Sequence, residues 1–400
     1  MENKVNVKIN GVKKVFSLKN KPTNIDIAWM LISSTVDLNY KALDSFKELL
    51  NKGIISKEDI TEDIQLEVVK ESGGYIIKYI LEVGIIPSEE ILLEAVKTYG
   101  LAIIFLLDFG IIPSEKIQME AVKKKGWAIG SILKAGIKPS EEMLLESVKS
   151  EGSAIRCILE AGIKPSEKML MEAVKSEGSA MKYILEAGIK PSEEILLESV
   201  KKGRDSIKYI LEAGIKPSEE ILLESVKQYW GSIRYILEAG IKPSEEMIME
   251  AVNDKNWAIK YILEGGTKPS EEILLEAVKK NGWAIQYILE AGIKPSEEML
   301  LEAVKKDNNS IQYILKEIKK NNGVILKEDV SKDILLETLK KDGKTIMFYE
   351  SLEEEIILDY LQDDVNRLEY FVEYKKEKLL TKYEKTKAIF KAWKEKAEKK

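Results

Sequence analysis

The dipeptide Pro-Ser recurs at Pro87, Pro113, Pro139, Pro165, Pro191, Pro217, Pro243, Pro269 and Pro295, always 26 residues apart, and uses nine of the ten prolines. A fixed period this short constrains the fold more than the 400-residue length does, because self-similarity at 20–50 residues marks a repeat architecture. Taking proline as position 1, each copy must be one supersecondary unit.

Positions 2–12 read as a helix. Ser at position 2 suits an N-cap, since its hydroxyl can accept from an orphan backbone N–H. Glu at positions 3 and 4 falls in the first turn, where the helix dipole favours negative charge. Apolar residues at 5, 6, 9 and 10 make one face, widened by position 7. Gly or Asn near position 14 reads as the stop of this helix. A second helix covers 16–23, with Ile, Ile and Leu at 17, 20 and 21. Gly at 24 (Gly110, Gly136, Gly162, Gly188, Gly214, Gly240, Gly266, Gly292) ends it, and proline three residues on forbids continuation. A pair of short antiparallel helices that is apolar on more than one stripe cannot bury itself alone. Stacked copies can, and the sequence therefore predicts an all-α, elongated right-handed α-solenoid.

Weaker copies flank the nine. Residues 61–84 form one with an extra residue before its second helix, 331–352 another, and 22–53 a degenerate first pair. Divergent end repeats are what a solenoid needs to close its apolar ends. Ahead of them, VNVKINGVKKVFSL alternates about Asn10-Gly11, a strong hairpin signal. The expected organisation is a β-hairpin at 1–21, capping repeats at 22–86, nine repeats at 87–320, a C-terminal capping repeat at 321–352 and charged helices at 353–400. The last stretch, 374–400, holds eleven lysines, four glutamates, Phe390 and Trp393, a composition suited to self-association or a second contact.

Composition narrows the chemistry. The chain has no histidine, which removes imidazole acid–base catalysis and imidazole metal ligation. Cys157 is the only cysteine, so neither an internal disulfide nor a CxxC knuckle can form. That usage suits a cytoplasmic setting. The N-terminus lacks a signal-peptide apolar run, and no stretch is apolar for long enough to span a membrane. Sixty-two Lys plus Arg against 68 Asp plus Glu give a net charge of −6, which by itself does not call for a polyanion. No phosphate-binding, dinucleotide or nucleophile-elbow motif occurs, and the glutamates follow the repeat. The expectation is a non-enzyme with no catalytic, cofactor or metal residue.

The unit ILLEAVKKNGWAIQYILEAGI resembles the helix–turn–helix core of an ankyrin repeat, through its small residue at 9, Gly at 14 and closing Gly at 24. The ankyrin Thr-Pro-Leu-His opening and the β-hairpin fingers are missing, so that family's contact residues do not carry over. AVKKNGWAIQYI at 277–288 is similar to a group of short bacterial, phage and giant-virus repeats with the phrase AVKxxGxAIxYI. This resemblance implies a fold and no activity.

Variation inside a near-constant scaffold points to function. Positions 12–15 and 18 change most from copy to copy. They supply the candidate partner-binding residues: Tyr99, Trp127, Arg156, Lys182, Arg204, Lys208, Tyr229, Trp230, Arg234, Trp257, Lys260 and Trp283. Aromatic and arginine side chains dominate interface hot spots, which favours a protein partner. The bland counterpart is neutral drift at an exposed turn, with the tryptophans packing on the next repeat. The alternative function is nucleic-acid or other polyanion binding along Lys/Arg ladders at positions 11 and 18. Against it, Glu at position 8 lies three residues before each position-11 lysine, and Glu at 22 lies four after position 18, the spacing of ordinary helix-surface pairs.

Overall fold

The computed structural model describes residues 5–9, 12–17, 19–36, 40–254, 257–307 and 309–322, with 331, 333, 334 and 337 singly. The expected hairpin turn at Asn10-Gly11, nearly all of the C-terminal capping repeat and the charged helices of 353–400 lie outside the described residues.

The repeat is a helix pair, as its pattern requires. In the Pro87 copy the helices are Glu89–Thr98 and Ala102–Asp108, that is, positions 3–12 and 16–22. Ser88 sits just outside in extended conformation, the backbone of an N-cap. The serine hydroxyl accepts from the position-5 N–H in the Ser140, Ser166, Ser244 and Ser296 copies. The second helix closes as the glycine predicts. Gly110 has φ +73°, its N–H donates to the Leu107 carbonyl, and the N–H of Ile111 reaches the Leu106 carbonyl. That bond pair is a Schellman closure, for which residues with a Cβ are poorly suited. The ninth copy has Ile318 at position 24 and no following proline, and its second helix runs on as Ser310–Asn322.

Position 14 needs a correction. The first helix does not stop on a left-handed glycine: its C-cap is position 13, extended, with φ −145° at Glu151 and −147° at Lys125. The glycines at 14 have ordinary φ and serve close approach instead. A Cβ on Gly126 would lie 2.3 Å from the Ser147 carbonyl oxygen in the next copy, and one on Gly152 would lie 2.2 Å from that of Ala173. Gly74 meets Ala95 in the same way.

The chain divides into two compact units, 1–224 and 225–400, the boundary falling inside the helix Glu219–Gln228. Within each unit, first helices pack on first helices of the neighbouring copies and second helices on second helices, in chain order. Each unit is thus an α-solenoid of stacked helix pairs. Ile195, Leu196, Val200, Ile207 and Ile210 show the core set of one copy, all buried. Position 16, the first residue of the second helix, admits only Ala or Ser and is fully buried in every copy. In two of the three serine copies the hydroxyl finds carbonyls: Ser206 donates to Ser199 at 2.9 Å and Gly178 at 3.0 Å, and Ser232 donates to Ser225 at 2.8 Å, whereas the buried Ser310 hydroxyl has no partner among the described residues.

In the first unit, strands Val5–Ile9 and Val12–Phe16 pair antiparallel with Val5 opposite Phe16. Both of those side chains are buried, and the first strand packs against the helices Asn24–Val36 and Tyr40–Asn51. Asp26 fastens this end. It accepts from the Thr23 N–H and hydroxyl and is ion-paired with Lys14 of the hairpin.

Candidate binding surface

The second helices leave positions 18, 19 and 22 exposed or half-buried in most copies, and the turn before them does the same for positions 12, 13 and 15. In each unit the predicted site residues lie on its turns and second helices, and they are of three physical kinds.

The first kind is aromatic. Several of the aromatic side chains at the turn lean onto position 19 of the following copy. Trp257 reaches Tyr287 with ring centroids 6.2 Å apart, and Trp283 reaches Tyr313 at 5.7 Å. Trp230, one position earlier in its repeat, reaches Tyr261 at 6.2 Å and its own neighbour Tyr229 at 5.8 Å. In the first unit Tyr75 packs edge-on against Phe105 at 5.1 Å, and Tyr99 joins the same cluster at 6.1 Å from Tyr75. These contacts leave much of each ring in water: Trp257 is 50% exposed, Trp283 36% and Tyr99 37%. Trp127 is the exception, because position 19 of the next copy is Cys157. Its backbone N–H donates to Glu151 at 3.1 Å.

Cationic residues at position 18 are the second kind. Each pairs with Glu at 22 in its own helix: Arg156 with Glu160 at 2.7 Å, Arg234 with Glu238 at 3.3 Å, and Lys182, Lys208 and Lys260 with their glutamates at 3.9 Å. Each also lies over a tyrosine. The Arg234 guanidinium is 5.0 Å from the Tyr235 ring, Lys208 is 6.0 Å from Tyr209, and Lys182 is 6.0 Å from both Tyr183 and Tyr209. Arg156 and Lys260 reach forward to Tyr183 and Tyr287 of the next copies, both at 5.8 Å. The Glu160 carboxylate, by its hydrogen bond, holds the Arg156 guanidinium above its ordinary pKa. Burial raises the Tyr287 phenol.

The third kind is polar turn residues. Arg204 is exposed. Glu177, at position 13, accepts from the Ser153 N–H at 3.0 Å and the Ser179 hydroxyl at 2.9 Å. Burial alone would raise its pKa, but these hydrogen bonds bring the carboxyl below its usual value. Cys157 at position 19 is half-buried, and desolvation pushes its thiol up, away from nucleophilic character.

Most of the position-11 ladder is ion-paired, within its own helices at Lys149–Glu146 (2.7 Å), Lys305–Glu302 (2.8 Å) and Lys175–Glu172 (3.5 Å), and to the next copy at Lys279–Glu298 (3.5 Å) and Lys227–Glu246 (4.0 Å). A third row escaped the sequence reading. The position-26 lysines Lys138, Lys164, Lys190, Lys216, Lys242, Lys268 and Lys294 are exposed and make no ion pair among the described residues. Their period was visible, but only geometry shows that no carboxylate is within reach.

Among the described residues, no cluster of three His, Cys, Asp or Glu side chains is placed to hold a metal ion, and no helix is long and apolar enough to cross a membrane. No protein-family profile matches the chain, and no curated protein matches it. Among solved structures it is similar to one described as a circular tandem repeat protein with novel repeat topology and enhanced subunit contact surfaces. That match has 14% identity over 88% of this chain and 84% of that one, with a TM-score of 0.19. The repeat pattern and the packing of helix on helix define the class, a helical-repeat protein.

Proposed function

We propose that the chain is a non-enzymatic, ankyrin-like repeat scaffold of the cytoplasm that binds a protein partner along the edge formed by positions 13–15, 18 and 19. One observation carries this reading. Trp230, Trp257 and Trp283 stand in successive copies, each braced by a tyrosine of the next, and Trp257 and Trp283 keep a third to a half of their surface in water. Braced rings have already lost rotamer freedom, so a partner covering them gains apolar contact at small entropic cost. Arg234 and Lys260 lie between them and offer charge for orientation. Replacing Trp257 with a photo-crosslinking p-benzoylphenylalanine tests the reading in host extract. The edge probe should give a discrete protein adduct that the same probe at Lys149 does not. Equal labelling from both positions contradicts it.

The polyanion alternative has one observation in its favour, the unpaired position-26 lysines, and not the ladders at 11 and 18. Salt-dependent gel shifts with single- and double-stranded DNA and RNA, on the wild type and a Lys164→Ala/Lys190→Ala/Lys216→Ala variant, test it.

A further inference from the structure

The loop that closes each second helix, positions 23–26, reads Ala-Gly-Ile-Lys in the copies ending at Lys138, Lys164, Lys190, Lys216, Lys242 and Lys294. Once, at 265–268, it reads Gly-Gly-Thr-Lys. A Cβ at Gly265 would lie 3.2 Å from both terminal methyls of Leu237, so the missing methyl leaves the floor of this loop open. Thr267 likewise replaces a longer isoleucine. An open cleft of about 490 Å³ lies here, lined by Leu237, Ile241, Lys242, Thr267 and Lys268 with three glycines between them.

The side-chain polar groups of this cleft are unspent. The N–H groups of Gly265, Gly266 and Thr267 close the helix onto Tyr261, Leu263 and Ile262, so these three donors are taken. The Thr267 side chain has no hydrogen-bond partner, and Lys242 and Lys268 have no ion pair, among the described residues. Glu238 and Glu264, which end the two adjoining helices, are held by Arg234 at 3.3 Å and Lys260 at 3.9 Å. Lys242, Lys268 and Thr267 therefore line the cleft beside the apolar side chains of Leu237 and Ile241.

We propose that this cleft binds a small organic phosphate. The dianionic oxyanion takes charge-assisted hydrogen bonds from Lys242, Lys268 and the Thr267 hydroxyl, while the organic body lies on Leu237 and Ile241. A carboxylate-sized monoanion would leave one ammonium unmatched. The proposal stands apart from the protein-partner reading: the cleft sits at the C-terminal ends of the second helices and the variable turns at their N-terminal ends, about 10 Å away along a seven-residue helix.

Phenyl phosphate titrated into the full chain, carrying methyl labels on Ile, Leu and Thr, tests it by NMR. Saturable shifts should appear at Thr267, Ile241 and Leu237, with Ile215 in an ordinary loop silent. Gly265→Ala/Thr267→Ile restores the loop that six other copies already fold with, and it should weaken binding by about tenfold or more, as should Lys242→Ala/Lys268→Ala. Absence of saturation, binding undiminished in the restored variant, or equal shifts at Ile215 from general counter-ion attraction would each overturn the assignment.

Discussion

Trp257 of one repeat rests on Tyr287 of the next, ring centroids 6.2 Å apart and planes inclined at 53°. The relationship recurs wherever position 19 of the following copy is aromatic and receives a ring from before the second helix, as Tyr75–Phe105 and Trp283–Tyr313 also show, whereas for Tyr99 and Trp127 that position is Ser131 and Cys157. It gives these rings two functions at once, a brace between repeats and an exposed face. Trp283→Ala should therefore cost about 1–2 kcal/mol of stability, a ring contact and its burial, without unfolding the chain. Urea denaturation measures it; Trp127→Ala, with no aromatic receiver at Cys157, should cost less.

Gly126→Ala should be among the more damaging single methyl additions in the array. The new Cβ meets the Ser147 carbonyl oxygen at 2.3 Å, so two backbones must separate, an overpacking cost of about 1–3 kcal/mol. Gly136→Ala fails for another reason, its φ of +75°, and should cost about 1–2 kcal/mol while leaving inter-repeat spacing unchanged. Chemical denaturation separates them by magnitude, and methyl NMR of the adjacent copy separates them by range.

Ser206→Ala removes a buried hydroxyl that donates to carbonyls of its own copy and the preceding one. The expected loss is about 1 kcal/mol, read by thermal melting against the wild type.

Asp26 makes the N-terminal end acid-sensitive. Burial works to raise its pKa, but hydrogen bonds from Lys14 and Thr23 outweigh it and leave the folded-state value depressed. The sign follows: the unfolded chain binds this proton more readily, so the stabilisation is complete above the ordinary aspartate range and disappears as pH falls through the depressed value. Hydrogen exchange in the hairpin should accelerate over that interval, and Asp26→Asn should flatten the dependence. An unchanged pH profile in the variant would remove Asp26 from this role.

Much of the fold was legible because the repeat prints its own punctuation. Pro at 1, Ser at 2 and Gly at 24 act through local backbone chemistry, which is why both helix boundaries fall within a residue of expectation, and why the helix lacking Gly at 24 overruns to Asn322. Position 14 misled because a glycine for close approach and a glycine for positive φ look identical in sequence. Gly126 differs from Gly136 only through Ser147, a residue of the next copy. Most ion pairs of the ladders followed from i,i+3 and i,i+4 spacing, whereas those of Lys227 and Lys279 reach Glu246 and Glu298 of the next copy. What the sequence could not supply was the neighbour across the repeat: which tyrosine receives Trp257, and that Lys268 has no carboxylate facing it.

The central claim, that binding energy sits on the variable edge, is tested most directly by quantitative capture of host proteins on immobilised wild type, Trp230→Ala/Arg234→Ala/Trp257→Ala and Lys149→Ala/Lys175→Ala, with circular dichroism confirming all three folds. A protein retained by the wild type should fall by about tenfold or more on the edge variant, since hot-spot truncations cost about 2 kcal/mol each, and should remain on the lysine variant. Undiminished capture by the edge variant, with loss on the lysine variant and a steep fall with salt, would contradict the account.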